Sequence, residues 1–120
     1  MTLSKKVVKG EISLESSNLI IVIATTATKG EAENIARSLL DEKLIACANI
    51  IGPAHSLFWW HEKIESAEEY MLFMKTRADM FKKLAEKVKT LHSYEVPEII
   101  AMPIIKGFKP YIEWLDKTLR

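Results

Sequence analysis

The stretch "NLIIVIATT", Asn18 to Thr26, is the clearest secondary-structure signal in the chain. Aliphatic, mostly β-branched residues follow one another until small polar residues end the run, a pattern typical of a central strand covered on both faces. Thr28 and Glu31 then stand at the spacing of a capping box, and apolar residues recur at helical intervals after them. The sequence therefore predicts a buried strand followed by a helix that lies on the sheet.

Three further strands are predicted in the middle of the chain. They are "KLIACANIIG" (43–52), then "SLFWWHEKIE" (56–65) and "EEYMLFMKT" (68–76), with the turn between the last two at Glu65 to Glu68. Both alternating sets of side chains in "EEYMLFMKT" include apolar residues, so both faces of this long hairpin are predicted to be covered.

Two helices and an edge strand complete the pattern. Thr76 is predicted to cap the second helix, and Pro110 to begin a third with Tyr111, Trp114, Leu115 and Thr118 on one side. Between these helices, "EVPEIIAMPII" (95–105) reads as a strand whose prolines place it at an edge of the sheet or at irregular pairing.

The order β, α, β, β, α, β indicates an α+β fold, a ferredoxin-like split βαβ sandwich with an extra C-terminal helix. Residues 18–120 form the predicted domain, whereas residues 1–17 lack a sustained apolar period and read as an N-terminal extension. Two helices cover only one face of such a sheet. The apolar second face therefore predicts association with other copies of the chain.

Composition excludes several classes of protein. Among 120 residues, 17 basic and 16 acidic side chains leave a net charge of +1, which argues against nucleic acid as a partner. No apolar run is long enough to cross a membrane, and the first residues do not resemble a signal peptide, so a cytoplasmic location is expected. The single cysteine cannot form an intrachain disulfide. No catalytic motif is found, so we expect that the protein is not an enzyme.

The stretch "LHSYEVPEII", Leu91 to Ile100, holds the candidate site residues His92, Tyr94 and Glu95. They could form a ligand site, or His92 could bind the last carbonyls of its helix while Glu95 accepts hydrogen bonds in a turn. Cys47 has two interpretations as well. It could be a small core residue, or a soft ligand for copper.

Five separated motifs carry a resemblance to one family. "LIACANI", "SLFWWHEKIE", "EEYMLFMKT", "LHSYEVPEII" and "YIEWL" stand in the order and spacing of the CutA family, the divalent-cation tolerance proteins. The resemblance implies a homotrimer of ferredoxin-like subunits, similar to the PII signalling proteins, with copper or another divalent cation as ligand. It also implies a cleft between subunits, lined by the residues that match Trp60, Glu69, Lys75, His92, Tyr94 and Glu95.

Two hypotheses for function follow. The first is a copper-binding tolerance protein with His92, Glu95 and Cys47 as metal ligands. The second is a PII-like trimeric module for signalling or protein interaction that binds a small metabolite in its clefts. The chain also departs from the family pattern, because Glu62 stands where a glycine is usual. A positive φ at that position would strain Glu62.

Overall fold

The structure is a computed structural model that describes residues 7–8, 11–13 and 19–120. Its strands and helices, in chain order, are β1 (Val7–Val8), β2 (Glu11–Ser13), β3 (Leu19–Thr26), α1 (Lys29–Asp41), β4 (Cys47–Trp60), β5 (Lys63–Arg77), α2 (Phe81–Leu91), β6 (Ile99–Pro103), β7 (Lys106–Phe108) and α3 (Lys109–Thr118). A short 3-10 turn, Ala78–Met80, precedes α2.

The predicted ferredoxin-like arrangement is confirmed. One four-stranded antiparallel sheet has the order β4-β5-β3-β6, with β3 inside it and the proline-bearing β6 at an edge as predicted. Side chains from one face of the sheet pack with α1 and α2 in the main core, which includes Val22, Ile35, Leu72, Met74 and Leu84, all fully buried. Burial of large aliphatic side chains, each contributing about 1.5–3 kcal/mol, holds the helices on the sheet.

The opposite face of the sheet, which we call the open face, is only partly covered. At one end Leu19 and Ala46 pack with the buried side of α3, which consists of Ile112, Leu115 and Leu119. Elsewhere Ile51, Ile100 and Met102 are 56%, 52% and 45% exposed. The open face therefore presents apolar surface to solvent in a single chain.

A second sheet involves part of the predicted N-terminal extension. It has the order β1-β2-β7, and β2 pairs with β7 so that Ile12 lies opposite Gly107. A Cβ added at Gly107 would lie 2.3 Å from Cδ1 of Ile112, so glycine is what lets α3 fold back against β7. The extent of the extension, residues 1–17, stays a prediction.

The hairpin differs from the prediction in two ways. Most of the strand predicted at 43–52 and the first half of the one predicted at 56–65 form the single strand β4, which shifts register between Ile51 and Ala54 at the Gly-Pro pair, whereas residues 63–65 belong to β5. The turn lies at His61 and Glu62, four residues before the predicted one, because these residues adopt φ of 48° and 64°. Glu62 thus has the positive φ that would account for the glycine usual in the family at this position.

One other expectation was wrong. Thr76 does not cap α2, since it is a buried residue of β5 whose hydroxyl donates to the Leu44 carbonyl at 2.6 Å. Threonine fits a cap and a strand equally well, and tertiary packing decides between them. On the predicted side of α3, Leu115 is buried, whereas Tyr111 and Trp114 are 40% and 47% exposed.

Candidate functional site

The loop between α2 and β6, residues 92–98, is fixed to the end of β3 by His92. Nε2 of His92 lies 2.7 Å from the carbonyl oxygen of Thr25, and Nδ1 accepts the backbone N–H of Tyr94 at 3.0 Å. A carbonyl can only accept, so Nε2 carries the proton and the imidazole is neutral in this arrangement. Both ring nitrogens of His92 are therefore engaged in holding the loop.

Glu31 holds the same loop from the start of α1. Its backbone N–H donates to the Thr28 hydroxyl at 3.1 Å, which confirms Thr28 as the N-cap of the predicted capping box. Its carboxylate accepts backbone N–H groups from Ala27 at 3.2 Å and from Ser93 at 2.7 Å. Burial raises the pKa of Glu31, but these hydrogen bonds outweigh it and hold the pKa below 4.5. The link to Ser93 was not predicted, because the two residues are far apart in sequence.

Tyr94 and Glu69 form a polar pair beneath the loop. The Tyr94 hydroxyl donates to Oε2 of Glu69 at 2.9 Å, and Glu69 is only 8% exposed. Burial and the adjacent carboxylate raise the pKa of Tyr94 to about 12, so the phenol stays protonated at neutral pH. This contact brings together two residues that the family resemblance placed in one cleft.

An open cleft of about 730 Å³ lies between this loop and the β4–β5 hairpin. Its carboxylates are Glu65, Glu69, Glu95 and Glu98, and its aromatic rings are Phe58, Trp60 and Tyr94. No lysine, arginine or histidine of the described ranges lines it. We call this feature the acidic cleft, and it contains four of the six predicted cleft residues: Trp60, Glu69, Tyr94 and Glu95.

The other two predicted residues lie outside the acidic cleft. His92 packs beside Tyr94, with ring centroids 4.8 Å apart, but does not line the cleft. Lys75 is six residues from Glu69 on β5, about 20 Å along the strand. There its ammonium donates to Oδ1 of Asn49 at 3.0 Å and lies 3.9 Å from Sγ of Cys47, which is half-buried on the open face.

The predicted metal ligands His92, Glu95 and Cys47 do not come together in one chain. Both nitrogens of His92 are engaged, and Cys47 lies beside Lys75, away from the loop. Within residues 19–120 and the two short N-terminal strands, no group of three or more His, Cys, Asp or Glu side chains is arranged to hold a metal ion. These residues therefore do not fit a metal site within one chain, and their role as ligands stays a prediction.

Comparison with known proteins identifies close relatives. A divalent-cation tolerance protein CutA from Archaeoglobus fulgidus is 44% identical over 98 residues, which are 82% of this chain and 95% of that protein. A chloroplastic protein CutA 1 from Oryza sativa is 41% identical over 84% of this chain and 57% of its own length. The solved structure of the periplasmic CutA from Archaeoglobus fulgidus superposes with a TM-score of 0.82 at 42% identity, covering 85% of this chain and 99% of that one.

These relatives correct the expected location. The rice protein is described as chloroplastic and the archaeal structure as periplasmic, so the expectation of a cytoplasmic location was wrong. The lack of a signal-peptide pattern is a poor guide to location, because targeting segments are removed and carry no part of the fold. Across the described part of the chain, no helix is both long and apolar enough to span a membrane.

The family assignment rests on the whole domain. The family described as CutA1 divalent ion tolerance protein matches residues 20–118, which extend from the first core strand to the end of α3. The ferredoxin-like, PII-like fold is shared with the solved CutA structure. The chain is a member of the CutA1 divalent ion tolerance family.

Proposed function

We propose that this chain is a homotrimeric binding protein whose acidic cleft receives a small ligand. The observation that carries the proposal is the cleft itself, with a buried carboxylate at its base and aromatic rings in its walls. A concave site that combines apolar walls with a few fixed polar groups is the usual form of a small-molecule site. The proposed activity is binding rather than catalysis.

The trimer is supported by two apolar surfaces. The open face carries Ile51, Ile100 and Met102 in exposed positions, and the hairpin exposes Leu57, Trp59 and Ile64 at 67%, 72% and 66%. A monomer rarely leaves this much apolar surface in water, whereas symmetric copies of one chain can cover it. The same surfaces could serve a PII-like module that contacts another protein.

Copper binding is the second candidate function. The family description, divalent ion tolerance, favours it. If it is correct, His92→Ala should weaken copper binding while the trimer stays assembled. In this structure, however, His92 positions the loop, so we expect the same substitution to loosen Tyr94 whether or not copper binds.

Light scattering at micromolar concentration tests assembly, with an expected mass of three times 13.7 kDa. Equilibrium dialysis against copper, zinc and a panel of nucleotides and amines then tests binding. Glu69→Gln should weaken binding of a cleft ligand, whereas Glu86→Gln, on the exposed surface of α2, should not. A monomer, or a panel in which nothing binds, would contradict the proposal.

A further inference from the structure

The loop at residues 92–98 forms one wall of the acidic cleft and has no hydrophobic anchor. Tyr94, Glu95, Val96 and Glu98 line the cleft, but no residue of this fully described loop is buried, and Val96 is 75% exposed. Burial of apolar side chains usually fixes a segment, so a loop without it depends on hydrogen bonds to neighbouring elements. Polar contacts therefore decide where this wall lies and how wide the cleft is.

Four hydrogen bonds tie the loop to four different elements of the described fold. They join Ser93 to Glu31 of α1, His92 to Thr25 of β3, Tyr94 to Glu69 of β5, and Glu95 to Lys89 of α2. In the first of them a carboxylate accepts directly from the main chain of the loop, at 2.7 Å. Hydrogen bonds to an ionised acceptor are about twice as strong as neutral ones, so this contact is a strong restraint on the loop backbone.

The Glu31 carboxylate is held from both sides. The backbone N–H of Glu31 donates to Thr28, the N-cap of α1, and its Oε1 accepts the N–H of Ala27 at 3.2 Å. Its Oε2 is thereby directed at Ser93, which is 62 residues away in sequence. The start of α1 therefore fixes both the backbone and the side chain of Glu31. A side chain one methylene shorter cannot keep both of the carboxylate contacts.

Ser93 stands between two residues on which the cleft wall depends. Nδ1 of His92 accepts the Tyr94 N–H at 3.0 Å, and the Tyr94 hydroxyl donates to Glu69 at 2.9 Å. Both contacts need a fixed chain direction at Ser93, because a hydrogen bond weakens steeply with distance and angle. If the Ser93 N–H lost its acceptor, the loop backbone would loosen at this point and the contact between Tyr94 and Glu69 would weaken.

We propose that Glu31 is a positioning residue for the acidic cleft, which acts through the Ser93 N–H to hold Tyr94 on Glu69. Glu31 does not line the cleft itself, and no other residue of the fully described helix α1 does. The inference rests on the cleft of the proposed function and adds a residue that controls the shape of this cleft from a neighbouring helix.

A double-mutant cycle in urea, without any ligand, tests the connection. Glu31→Asp keeps the charge but shortens the side chain, so it should release Ser93 and weaken the bond from Tyr94 to Glu69. The fall in urea midpoint caused by Tyr94→Phe should therefore be at most half as large in the Glu31→Asp background as in the wild type. A purely structural role of Glu31 in α1 would leave this fall unchanged.

Two control backgrounds separate positioning from helix stability. Thr28→Ala removes the N-cap hydroxyl and weakens the start of α1, but it leaves the Glu31 carboxylate in the chain. Glu33→Asp makes the same chemical change as Glu31→Asp at an exposed position of the same helix. In both backgrounds, Tyr94→Phe should lower the midpoint as much as it does in the wild type.

Amide hydrogen exchange of the wild type provides a test that needs no variant to fold. The Ser93 amide should exchange at least tenfold more slowly than the Val96 amide of the same loop, because Glu31 accepts its hydrogen. In Glu31→Asp the Ser93 and Tyr94 amides should exchange at least tenfold faster than in the wild type. An unprotected Ser93 amide in the wild type, or an equal effect of Tyr94→Phe in all four backgrounds, would overturn the inference.

Binding gives the last readout. For each copper, zinc, nucleotide or amine probe that binds the wild type and loses affinity in Glu69→Gln, Glu31→Asp should reduce affinity at least threefold and Glu33→Asp should not. Equal affinity of Glu31→Asp and Glu33→Asp for such a probe would overturn the inference. A panel in which nothing binds would contradict the proposed function alone, because the urea and exchange measurements judge the role of Glu31 without a ligand.

Discussion

Removing the Tyr94 hydroxyl is the sharpest test of how the acidic cleft is built. In Tyr94→Phe the ring can stay in place, but Glu69 loses its one hydrogen bond from the described residues, the 2.9 Å contact to Oε2. Because Glu69 is 8% exposed, water replaces that donor poorly. A hydrogen bond to a charged group is worth about 1.5–3 kcal/mol, so we expect the free energy of unfolding to fall by about 2 kcal/mol at pH 7.

Urea unfolding at fixed protein concentration measures this loss. With a slope of about 1–3 kcal/mol/M, the midpoint should fall by about 1 M. Tyr111→Phe is the matched control, because the Tyr111 hydroxyl makes no hydrogen bond to the described part of the chain and the residue is 40% exposed. Its free energy of unfolding should stay within about 0.5 kcal/mol of the wild-type value.

The pH dependence provides a second readout of the same pair. The folded pKa of Tyr94, about 12, lies above its ordinary value of 10. A raised pKa means that the phenol stabilises the fold fully below pH 10 and that this contribution is lost as the pH rises through about 12. The difference in stability between the wild type and Tyr94→Phe should therefore narrow over that interval.

A double-mutant cycle with Glu69→Leu separates the pair from its surroundings. Coupling of about 1–2 kcal/mol between the two positions is expected, since the two side chains are in direct contact. Additive effects, or a Tyr94→Phe variant as stable as Tyr111→Phe, would refute the reasoning. In that case the hydrogen bond would contribute no net stability, and Glu69 would be hydrated in the folded protein.

Two other predictions concern the elements around the cleft. Glu31→Gln should lower stability by about 1–2 kcal/mol at pH 7, because its carboxylate holds Ala27 and Ser93. Since the folded pKa lies below 4.5, this contribution exists above pH 4.5 and disappears as the pH falls through the folded value. A deficit that stays constant from pH 7 down to the most acidic pH at which the protein is still folded would contradict it. Gly107→Ala should cost about 1–3 kcal/mol through its close approach to Ile112, measured by urea unfolding against Gly30→Ala, where an added Cβ meets nothing within 4 Å. Equal stability of these two variants would show that α3 shifts freely.

The sheet and its helices could be predicted because their periods are strong and local. The run at Leu19 to Ala24, the capping box at Thr28 and the edge prolines each act through neighbouring residues. The hairpin turn was predicted four residues too late because the strand-like pattern continues through His61 and Glu62. Neither residue type is one that indicates a positive φ, as a glycine would. The resemblance to the family was the only signal there, through the glycine usual at position 62.

The candidate site was predictable only in part, because its contacts join distant segments. The Tyr94–Glu69 pair spans 25 residues, the His92–Thr25 contact 67 and the Ser93–Glu31 contact 62. A single sequence shows which residues could bond but not which of them meet. The resemblance supplied Glu69 and Tyr94, whereas the carboxylates Glu65 and Glu98 were missed because exposed glutamates in a strand and a loop look like ordinary surface.

Prolines stand at both edges of the main sheet, and this limits how the protein can polymerise. Pro53 lies in the outer strand β4, and Pro103 ends the other outer strand, β6. Neither residue has an N–H to donate, so an incoming strand finds a gap in the hydrogen-bond ladder on either side. Runaway stacking of sheets into fibrils needs long unbroken edges. The exposed apolar surface of this chain can therefore be covered in a closed oligomer, whereas the prolines hinder the edge-to-edge strand pairing that an open-ended fibril needs.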